Sequence, residues 1–503
     1  MAKVKTQDNA FFGHPKPLSS LFFTEMWERF SFYGIRPILI LFMVATVNNN
    51  GLGIDTATAS AIVGIFGGAI YLAALPGGWI ADNWLGQERS VWYGSIIIAL
   101  GHLSIALSAW LAVHFFYLGL ILIVIGSGLF KTCISVIVGM LYKEGDHRRD
   151  SGFSIFYMGI NLGAFLAPII GGVLNKQFGW HAGFGVGGIG MLIALLVFRM
   201  KAMPAMESFA DSQNIEKSWG TPKNITKSTK TVVFGALALF ILIFIGVSID
   251  LIPFSPITIV NYTTVILAVS AGGYFLALFF LAKLTKKERF QLLVCLILFI
   301  ASAFFWSAFE QQPTSMNLFV DSYTDRHIFG FEVPTEWFQS VNSIFIIIFA
   351  PLFAMLWPWM NRYHLEPSSM TKFAFGLFFA AIGFVCLYTA SKLVVSGDAL
   401  ASPSWMIACM LFLTFGELCL SPVGLSIMTK IAPKMIRGQI MGLWFASLSL
   451  GNLVASKVGG NVHAESIADL PGIFYTVIMA LVIVGGILLL LNIPIRRIDK
   501  QLD

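Results

Sequence analysis

Residues 24–37 read TEMWERFSFYGIRP, and they place four charged side chains inside an apolar run that is long enough to cross a lipid bilayer. Runs of about 20 apolar residues, the length that a membrane-spanning α-helix needs, recur along the rest of the chain. Hydrophobic residues make up 57% of the 503 positions and charged residues only 12%, about half the charged share of a soluble globular protein. Because backbone amides cannot stay unpaired in lipid, these runs predict a polytopic all-α membrane protein.

The apolar runs fall into groups of six, two and six, which predicts fourteen transmembrane helices. A polar stretch at 201–229 follows the first six and is predicted to be a cytosolic linker. We therefore expect an N-terminal six-helix bundle at 1–200, the linker with two additional transmembrane helices at 201–286, and a C-terminal six-helix bundle at 287–503. The predicted spans lie near 18–46, 57–80, 90–112, 115–141, 152–175, 181–200, 230–248, 257–282, 288–320, 335–360, 370–392, 404–431, 437–460 and 472–496.

The distribution of charge in the loops predicts the orientation of the chain. Basic residues gather in alternate loops, which we assign to the cytosol because positive charge is retained on that side of a membrane. Loops assigned to the outside, such as 47–56 and 461–471, contain no Lys or Arg. We predict a multi-pass protein of the inner (cytoplasmic) membrane with both termini in the cytosol. The net charge of +6 suits loops that face anionic lipid, and no basic domain indicates a nucleic-acid partner.

The turn after the second predicted helix has a recognisable form. Residues 77–89 read GGWIADNWLGQER, which resembles the GxxxDxxxGxxR loop motif of the major facilitator superfamily. In that motif the glycines permit a tight turn, and Asp82 and Arg89 are expected to form a cytoplasmic charge lock. Two six-helix bundles around a central cavity describe a secondary transporter of this superfamily.

The charges of the first predicted helix need an explanation, because each charge near a helix centre costs roughly 2.5–3.5 kcal/mol on insertion scales. At about 100° per residue, Glu25, Arg29, Tyr33 and Arg36 share one stripe, with Glu28 at its edge. Glu25 and Arg29 are four residues apart, so they can pair directly. We expect these groups to face the interior of the bundle or water, and the alternative is a purely structural ion network between helices.

Lys131 is the corresponding anomaly in the fourth predicted helix, where about ten apolar residues flank it on each side. A buried lysine either loses its proton or finds a carboxylate. Glu25 and Glu28 are the natural partners on grounds of charge. The alternative is that the lysine side chain extends to the membrane surface.

The second half of the chain has acidic groups in its own apolar runs, at Glu310 and Glu417. Pro422 breaks the hydrogen-bond ladder shortly after Glu417, which predicts either a gating helix or a plain kink. Asp321 lies at a helix end and is either functional or simply solvated. Basic groups in the first half and Glu417 in the second suit a zwitterion such as a peptide or an amino acid. Aromatic candidates for the space between these poles are Tyr33, Tyr71, Trp306, Phe309 and Trp444.

Four motifs together resemble those of the proton-dependent oligopeptide transporter (POT) family. Residues 25–34, EMWERFSFYG, are similar to its ExxERFxxYG motif, and residues 156–164, FYMGINLGA, to its second signature. FEQ at 309–311 and GELCLSP at 416–422 resemble its motifs in the seventh and tenth helices. The resemblance covers about 18–495 and implies a major facilitator fold with the two extra helices of bacterial members. It also implies proton-coupled import of di- and tripeptides by alternating access.

The resemblance further implies roles for individual residues. The proton-coupling residues it implies are Glu25, Glu28, Arg29, Lys131 and Glu310, of which Glu310 is a gate or a proton site. The substrate-binding residues it implies are Tyr33, Arg36, Tyr71, Lys131, Asn161, Trp306, Asn342, Glu417, Ser421 and Trp444. Arg36 and Lys131 would meet the peptide carboxylate, and Glu417 and Ser421 its amino terminus. One departure is that Thr132 and Cys133 follow Lys131 where members often carry Pro-Asn.

Other function classes fit the sequence less well. Transporters of nitrate or another small solute share the fold but often lose the ExxER pattern, which is intact here. A membrane enzyme would need a catalytic motif, and the eight histidines form no HExxH, nor is there a GxSxG turn. A receptor would not need titratable groups in both bundles, and a channel would show a conductance that is independent of substrate. We predict no cofactor and no metal, and the expected partners are di- and tripeptides, protons and the lipid bilayer.

Overall fold

The computed structural model of the chain describes residues 10–143, 146, 148–213, 225–282, 284–328, 330–397, 400–433, 436–461 and 467–502. Within them the chain forms sixteen α-helices and one antiparallel hairpin of β1 (His327–Ile328) and β2 (Phe331–Glu332). The helices are α1 Pro17–Val44, α2 Thr56–Ile80, α3 Gln87–Leu107, α4 Val113–Met140, α5 Arg149–Phe178, α6 Trp180–Val197, α7 Met203–Gln213, α8 Lys227–Ser248, α9 Pro256–Leu281, α10 Lys286–Phe309, α11 Asn317–Tyr323, α12 Trp337–Arg362, α13 Ser369–Ser396, α14 Pro403–Ile431, α15 Arg437–Gly460 and α16 Leu470–Leu502.

Eleven helices of the described residues are long and apolar enough to cross a membrane. The predicted count of fourteen spans is therefore not confirmed, although fourteen of the helices have at least 18 residues. The long helices outside the set of eleven are α1, α8 and α15. For α1 the reason is physical, since Glu25, Glu28, Arg29 and Arg36 fall within its 28 residues and lower its hydropathy.

The polar stretch that was predicted to be a linker is partly helical. α7 (Met203–Gln213) occupies its first part, and a π-helical turn, Phe198–Ala202, joins it to α6. Met206, Phe209 and Ala210 of α7 are buried. Their spacing of three and four residues was a helical signal within a stretch that composition alone marks as polar. Residues 214–224 of the predicted linker lie outside the described residues. The last residues of the linker, from Lys227 onward, already belong to α8.

The chain divides into two compact units. Unit 1 comprises 1–35 and 72–255, and unit 2 comprises 36–71 and 256–503. α1 and α2 each contribute residues to both units. The boundaries at 200 and 286 that the sequence predicts remain predictions.

Unit 2 has an aromatic core and a well-defined helix start. The centroid of the Phe474 ring lies 6.0 Å from that of Phe319 and 6.1 Å from that of Phe384, and all three side chains are almost fully buried. α10 begins at a capping box, because the Thr285 hydroxyl accepts from the Glu288 amide and the Glu288 carboxylate accepts from the Thr285 amide. This local signal explains why a helix starts at Lys286, one residue before the predicted start of the C-terminal bundle at 287.

In unit 1, α1 packs closely against α5 and α6. Phe30, Ala167 and Val186, one from each helix, form a buried cluster. Gly163 of α5 faces the α1 backbone so closely that an added Cβ would lie 2.9 Å from the Phe30 nitrogen and nearer still to the Met26 carbonyl oxygen. A side chain at Gly163 would therefore push α1 away from α5.

We expect Gly163→Ala to destabilise unit 1 by about 1–3 kcal/mol, the usual cost of overpacking. The measurement is the unfolding temperature of the purified protein in detergent. Gly486→Ala is a matched control, because nothing lies within 4 Å of a Cβ at that position of α16. An equal unfolding temperature for both variants would contradict the close α1–α5 packing.

Candidate functional site

Unit 1 holds a buried charge cluster on one face of α1. Arg29 Nε lies 3.2 Å from Glu25 Oε1 and 2.5 Å from Glu28 Oε2. Glu25, Glu28 and Arg29 are 3%, 1% and 5% exposed. Within the described residues, the second oxygen of Glu25 and one terminal nitrogen of Arg29 have no hydrogen-bond partner. The cluster thus contains two acids, one base and two unsatisfied polar atoms, which is an arrangement that gaining or losing a proton would rebalance.

The other predicted residues of unit 1 lie on α1, α4 and α5. Half-buried Lys131 on α4 is within electrostatic range of Glu25, as the sequence argument expects. Tyr33 is half-buried and is an electrostatic neighbour of Arg29. Asn161 is buried on α5, where its side-chain amide donates to the Tyr157 carbonyl at 3.0 Å. The structure therefore assembles the predicted proton-coupling residues of the N-terminal half in one unit.

Unit 2 holds a second charged group. The Arg36 guanidinium donates to Glu310 Oε2 in an ion pair, and the two side chains are 12% and 3% exposed. Arg36 lies on the part of α1 that belongs to unit 2, and Glu310 follows the last residue of α10. Asn317 fixes this part of α1, since its amide donates to the Pro37 carbonyl at 2.6 Å. Arg36, which is predicted to bind substrate, and Glu310, which is predicted to act in proton coupling, are therefore ion-pair partners in the structure.

Glu417, on α14, is a neighbour of the Arg36–Glu310 ion pair. Glu310 is its electrostatic neighbour, and Asn342 is a hydrogen-bonding neighbour of the Glu417 carboxylate. The Asn342 amide also donates to the Thr414 hydroxyl at 2.9 Å, which holds α12 against α14. Glu417 is buried, and its Oε2 has no partner within the described residues. Unit 2 therefore brings two carboxylates and one guanidinium together, with one carboxylate oxygen unsatisfied.

The two predicted tryptophans of unit 2 are buried. Trp306 contacts the rings of Phe305 and Phe309, and its Nε1 has no partner within the part of the chain that the structure describes. The indole ring of Trp444, on α15, packs against α14 at Gly424, where an added Cβ would collide with the ring. Glycine at 424 thus provides space for the Trp444 ring. Tyr71 and Ser421, the remaining predicted contacts, are half-buried.

Comparison with known proteins places these features in a family. The sequence model of the POT family matches residues 88–468. This chain belongs to the POT family. A curated relative, a peptide transporter of Yersinia enterocolitica subsp. palearctica, is 55% identical over 489 residues, which cover 97% of this chain and 96% of the relative. A di-/tripeptide transporter of Lactococcus lactis subsp. cremoris is 33% identical, with 99% of each chain covered.

Solved structures confirm the fold class of this POT chain. A crystal structure of a peptide transporter POT in complex with sulfate is 37% identical, with a TM-score of 0.87 and coverage of 98% of this chain and 97% of that chain. A POT family transporter in complex with 5-aminolevulinic acid is 31% identical, also with a TM-score of 0.87, and covers 98% and 99% of the two chains. The chain is an all-α multi-pass membrane protein of the major facilitator fold, and the relatives that it matches are transporters rather than enzymes.

Sequence analysis of this POT chain missed some of the contacts. Within the described residues, Asp82 accepts from the Gln87 amide at 2.6 Å instead of pairing with Arg89. The Arg36–Glu310 pair was not foreseen either, because 274 positions separate the two residues. Buried His102 of α3 was not singled out, although a lone histidine in the middle of an apolar run was a visible signal.

Proposed function

We propose that this chain is a proton-coupled symporter that imports di- and tripeptides across the cytoplasmic membrane by alternating access, with both termini in the cytosol. The observation that carries the proposal is the buried Arg36–Glu310 ion pair with Glu417 beside it. The names of the Yersinia and Lactococcus relatives, both peptide transporters, support the same substrate class. The lipid bilayer is the medium that the long apolar helices require.

The geometry of unit 2 suits a zwitterionic peptide. While Glu310 is ionised, it occupies the Arg36 guanidinium, which is then not available to a substrate. Protonation of Glu310 would remove its charge and free Arg36 for the peptide carboxylate. Glu417, with one unsatisfied oxygen, would receive the peptide ammonium, and Asn342 would contact the peptide backbone. Arrival of a proton would thus prepare the site for the peptide.

Unit 1 would supply the second titratable group. Arg29 bridges Glu25 and Glu28, so protonation of either carboxylate would leave Arg29 with a single ionised partner. Lys131 would respond because it lies in the electrostatic range of Glu25. Tyr33, Asn161, Tyr71, Ser421, Trp306 and Trp444 are proposed as further contacts of the peptide backbone, the amino terminus and the side chains.

The driving force is sufficient for accumulation. A membrane potential of about 100 mV contributes about 2.3 kcal/mol per charge moved inward, or roughly a 40-fold concentration ratio for a neutral dipeptide carried with one proton. The test is uptake of labelled dialanine into proteoliposomes with an imposed pH gradient, competed by a panel of dipeptides and by nitrate. Competition by dipeptides supports the proposal. Competition by nitrate alone, or uptake that does not depend on the pH gradient, would refute it.

We expect Lys131→Ala to reduce the acidification of the vesicle lumen that follows addition of a dipeptide by about tenfold or more, which corresponds to roughly 1.4 kcal/mol in coupling. The reason is that the mutation removes the cation that faces Glu25. The measurement is the fluorescence of a pH dye inside proteoliposomes. Lys201→Ala, at an exposed lysine, is the control. Unchanged acidification in Lys131→Ala would remove Lys131 from the coupling site.

A further inference from the structure

His102 is a polar side chain that the proposed mechanism does not use. It is 4% exposed on α3, and it contacts Ser31 of α1, which is 1% exposed. The Ser31 hydroxyl and His102 Nε2 are 2.5 Å apart, while Nδ1 has no hydrogen-bond partner within the described residues. An unsatisfied N–H donor is rarer in buried sites than an unsatisfied acceptor, so we assign the proton to Nε2, which donates to Ser31.

α6 leaves a fitted space for this ring. An added Cβ at Gly187 would lie 2.6 Å from His102 Cε1, 3.0 Å from its Nδ1 and 2.8 Å from the Ser31 carbonyl oxygen. His102, Ser31 and Gly187 therefore meet at one point, where α3, α1 and α6 come together within unit 1. A contact of this kind fixes α1 both along its axis and in rotation about it.

The rotation of α1 matters because of what the helix carries. At about 100° per residue, Ser31 is roughly 160° around the helix from Arg29, so the bond to His102 holds α1 from the side opposite to Arg29. A side chain reaches about 6 Å from the helix axis, so a turn of about 20° would shift a carboxylate by roughly 2 Å. Glu25 would then lose its position relative to Lys131 on α4.

We propose that His102 is a positioning residue of the proton-coupling site, whose hydrogen bond to Ser31 sets the rotation of α1 that presents Glu25, Glu28 and Arg29 to Lys131. The inference rests on the proposed function, because it concerns the coupling step of the same transporter. It assigns no titration to His102, which acts as an uncharged hydrogen-bonding group. What it predicts is a loss of coupling when the bond is lost, without loss of the substrate site. Arg36 is also on α1, but Asn317 holds that end of the helix through the Pro37 carbonyl, and Glu310 and Glu417 belong to other segments of unit 2.

Two substitutions at His102 separate the hydrogen bond from the volume of the ring. His102→Gln places an amide nitrogen where Nε2 lies and preserves the bond to Ser31, whereas His102→Phe keeps a ring of similar size without the donor. We expect proton-driven dipeptide uptake to fall about tenfold in His102→Phe, because a displacement of about 1–2 Å is costly at a site that needs precise geometry. In His102→Gln, uptake should stay within about twofold of wild type. Counterflow exchange should stay within about twofold in both variants.

A second pair of variants tests the same contact from α6, in case His102→Phe does not fold. Gly187→Ala would force the His102 ring away from Ser31, whereas Gly185→Ala adds a Cβ with nothing within 4 Å. We expect Gly187→Ala to reproduce the loss of driven uptake and Gly185→Ala to behave like wild type. Ser31→Ala, which removes the acceptor of the bond, should match Gly187→Ala.

Each outcome decides between distinct conclusions. Two outcomes would overturn the positioning role, provided that the wild type still takes up dipeptides. The first is equal driven uptake in His102→Phe and His102→Gln. The second is a parallel loss of driven uptake and counterflow together with a lowered unfolding temperature. A merely structural contact would not change the ratio of driven uptake to counterflow, nor the pH profile of uptake. Failure of the wild-type protein to show gradient-driven dipeptide uptake would overturn the proposed function, and this inference with it.

Discussion

Glu25→Gln and Glu28→Gln are each expected to abolish gradient-driven accumulation of a dipeptide while counterflow exchange continues. Glutamine has the shape of a protonated glutamate, so each variant holds one group of the Arg29 cluster permanently neutral. Exchange of one peptide for another needs no change in protonation, but net import coupled to protons does. The expected fall is from roughly 40-fold accumulation at 100 mV to none.

The measurement is uptake of labelled dialanine by proteoliposomes, first with a pH gradient and an imposed membrane potential of about 100 mV, and then in counterflow with internal unlabelled peptide. Glu207→Gln, at an exposed glutamate of α7, is the matched control and should behave like wild type in both assays. Full driven uptake by both α1 variants would refute the coupling role of the cluster. Loss of both activities would instead indicate that the carboxylates hold the fold.

Glu417→Ala is expected to weaken the binding of dipeptides with a free amino terminus far more than that of N-acetylated ones. The Glu417 carboxylate has one oxygen without a partner in the described residues, and we propose that it receives the peptide ammonium. A hydrogen bond to a charged group contributes about 1.5–3 kcal/mol, so the expected loss of apparent affinity is roughly 10- to 100-fold. N-acetylated dipeptides lack the charge and should lose much less.

Inhibition of dialanine uptake by paired free and N-acetylated dipeptides gives the two affinities for each variant. Glu332→Ala, in the short hairpin where Glu332 pairs with Arg326 at 3.1 Å, is a control for removing an acid from unit 2. Equal losses for both peptide series would argue against an ammonium site at Glu417. No loss in either series would place the amino terminus elsewhere.

Local pattern was enough to predict the fold class and the charge cluster of unit 1. Glu25 and Arg29 are one helical turn apart, so the spacing itself predicts the pairing that the structure shows. Apolar runs of suitable length predicted the membrane helices, because backbone amide and carbonyl groups in lipid must be hydrogen-bonded within the protein. The count of spans was harder, because the four charged residues of α1 lower its hydropathy and leave it outside the eleven helices that are apolar enough to cross a membrane.

Contacts between distant segments could not be derived in this way. Arg36 and Glu310 are joined only because α1 continues into unit 2, and no periodicity in either segment indicates that partner. The same holds for Ser31 and His102, whose contact depends on the close approach of α1, α3 and α6 at Gly187. In both cases the residue types were visible in the sequence as polar groups in apolar runs, but their pairing was not.

The charges of α1 also have a consequence for biosynthesis. As the first of the long helices, α1 leaves the ribosome before α4, so Lys131 does not yet exist when Glu25 and Glu28 reach the insertion machinery. Arg29 can neutralise only one of the two carboxylates, and the other carries an insertion penalty of roughly 2.5–3.5 kcal/mol. Stable integration of α1 therefore depends on segments that are translated later, such as α4 with Lys131.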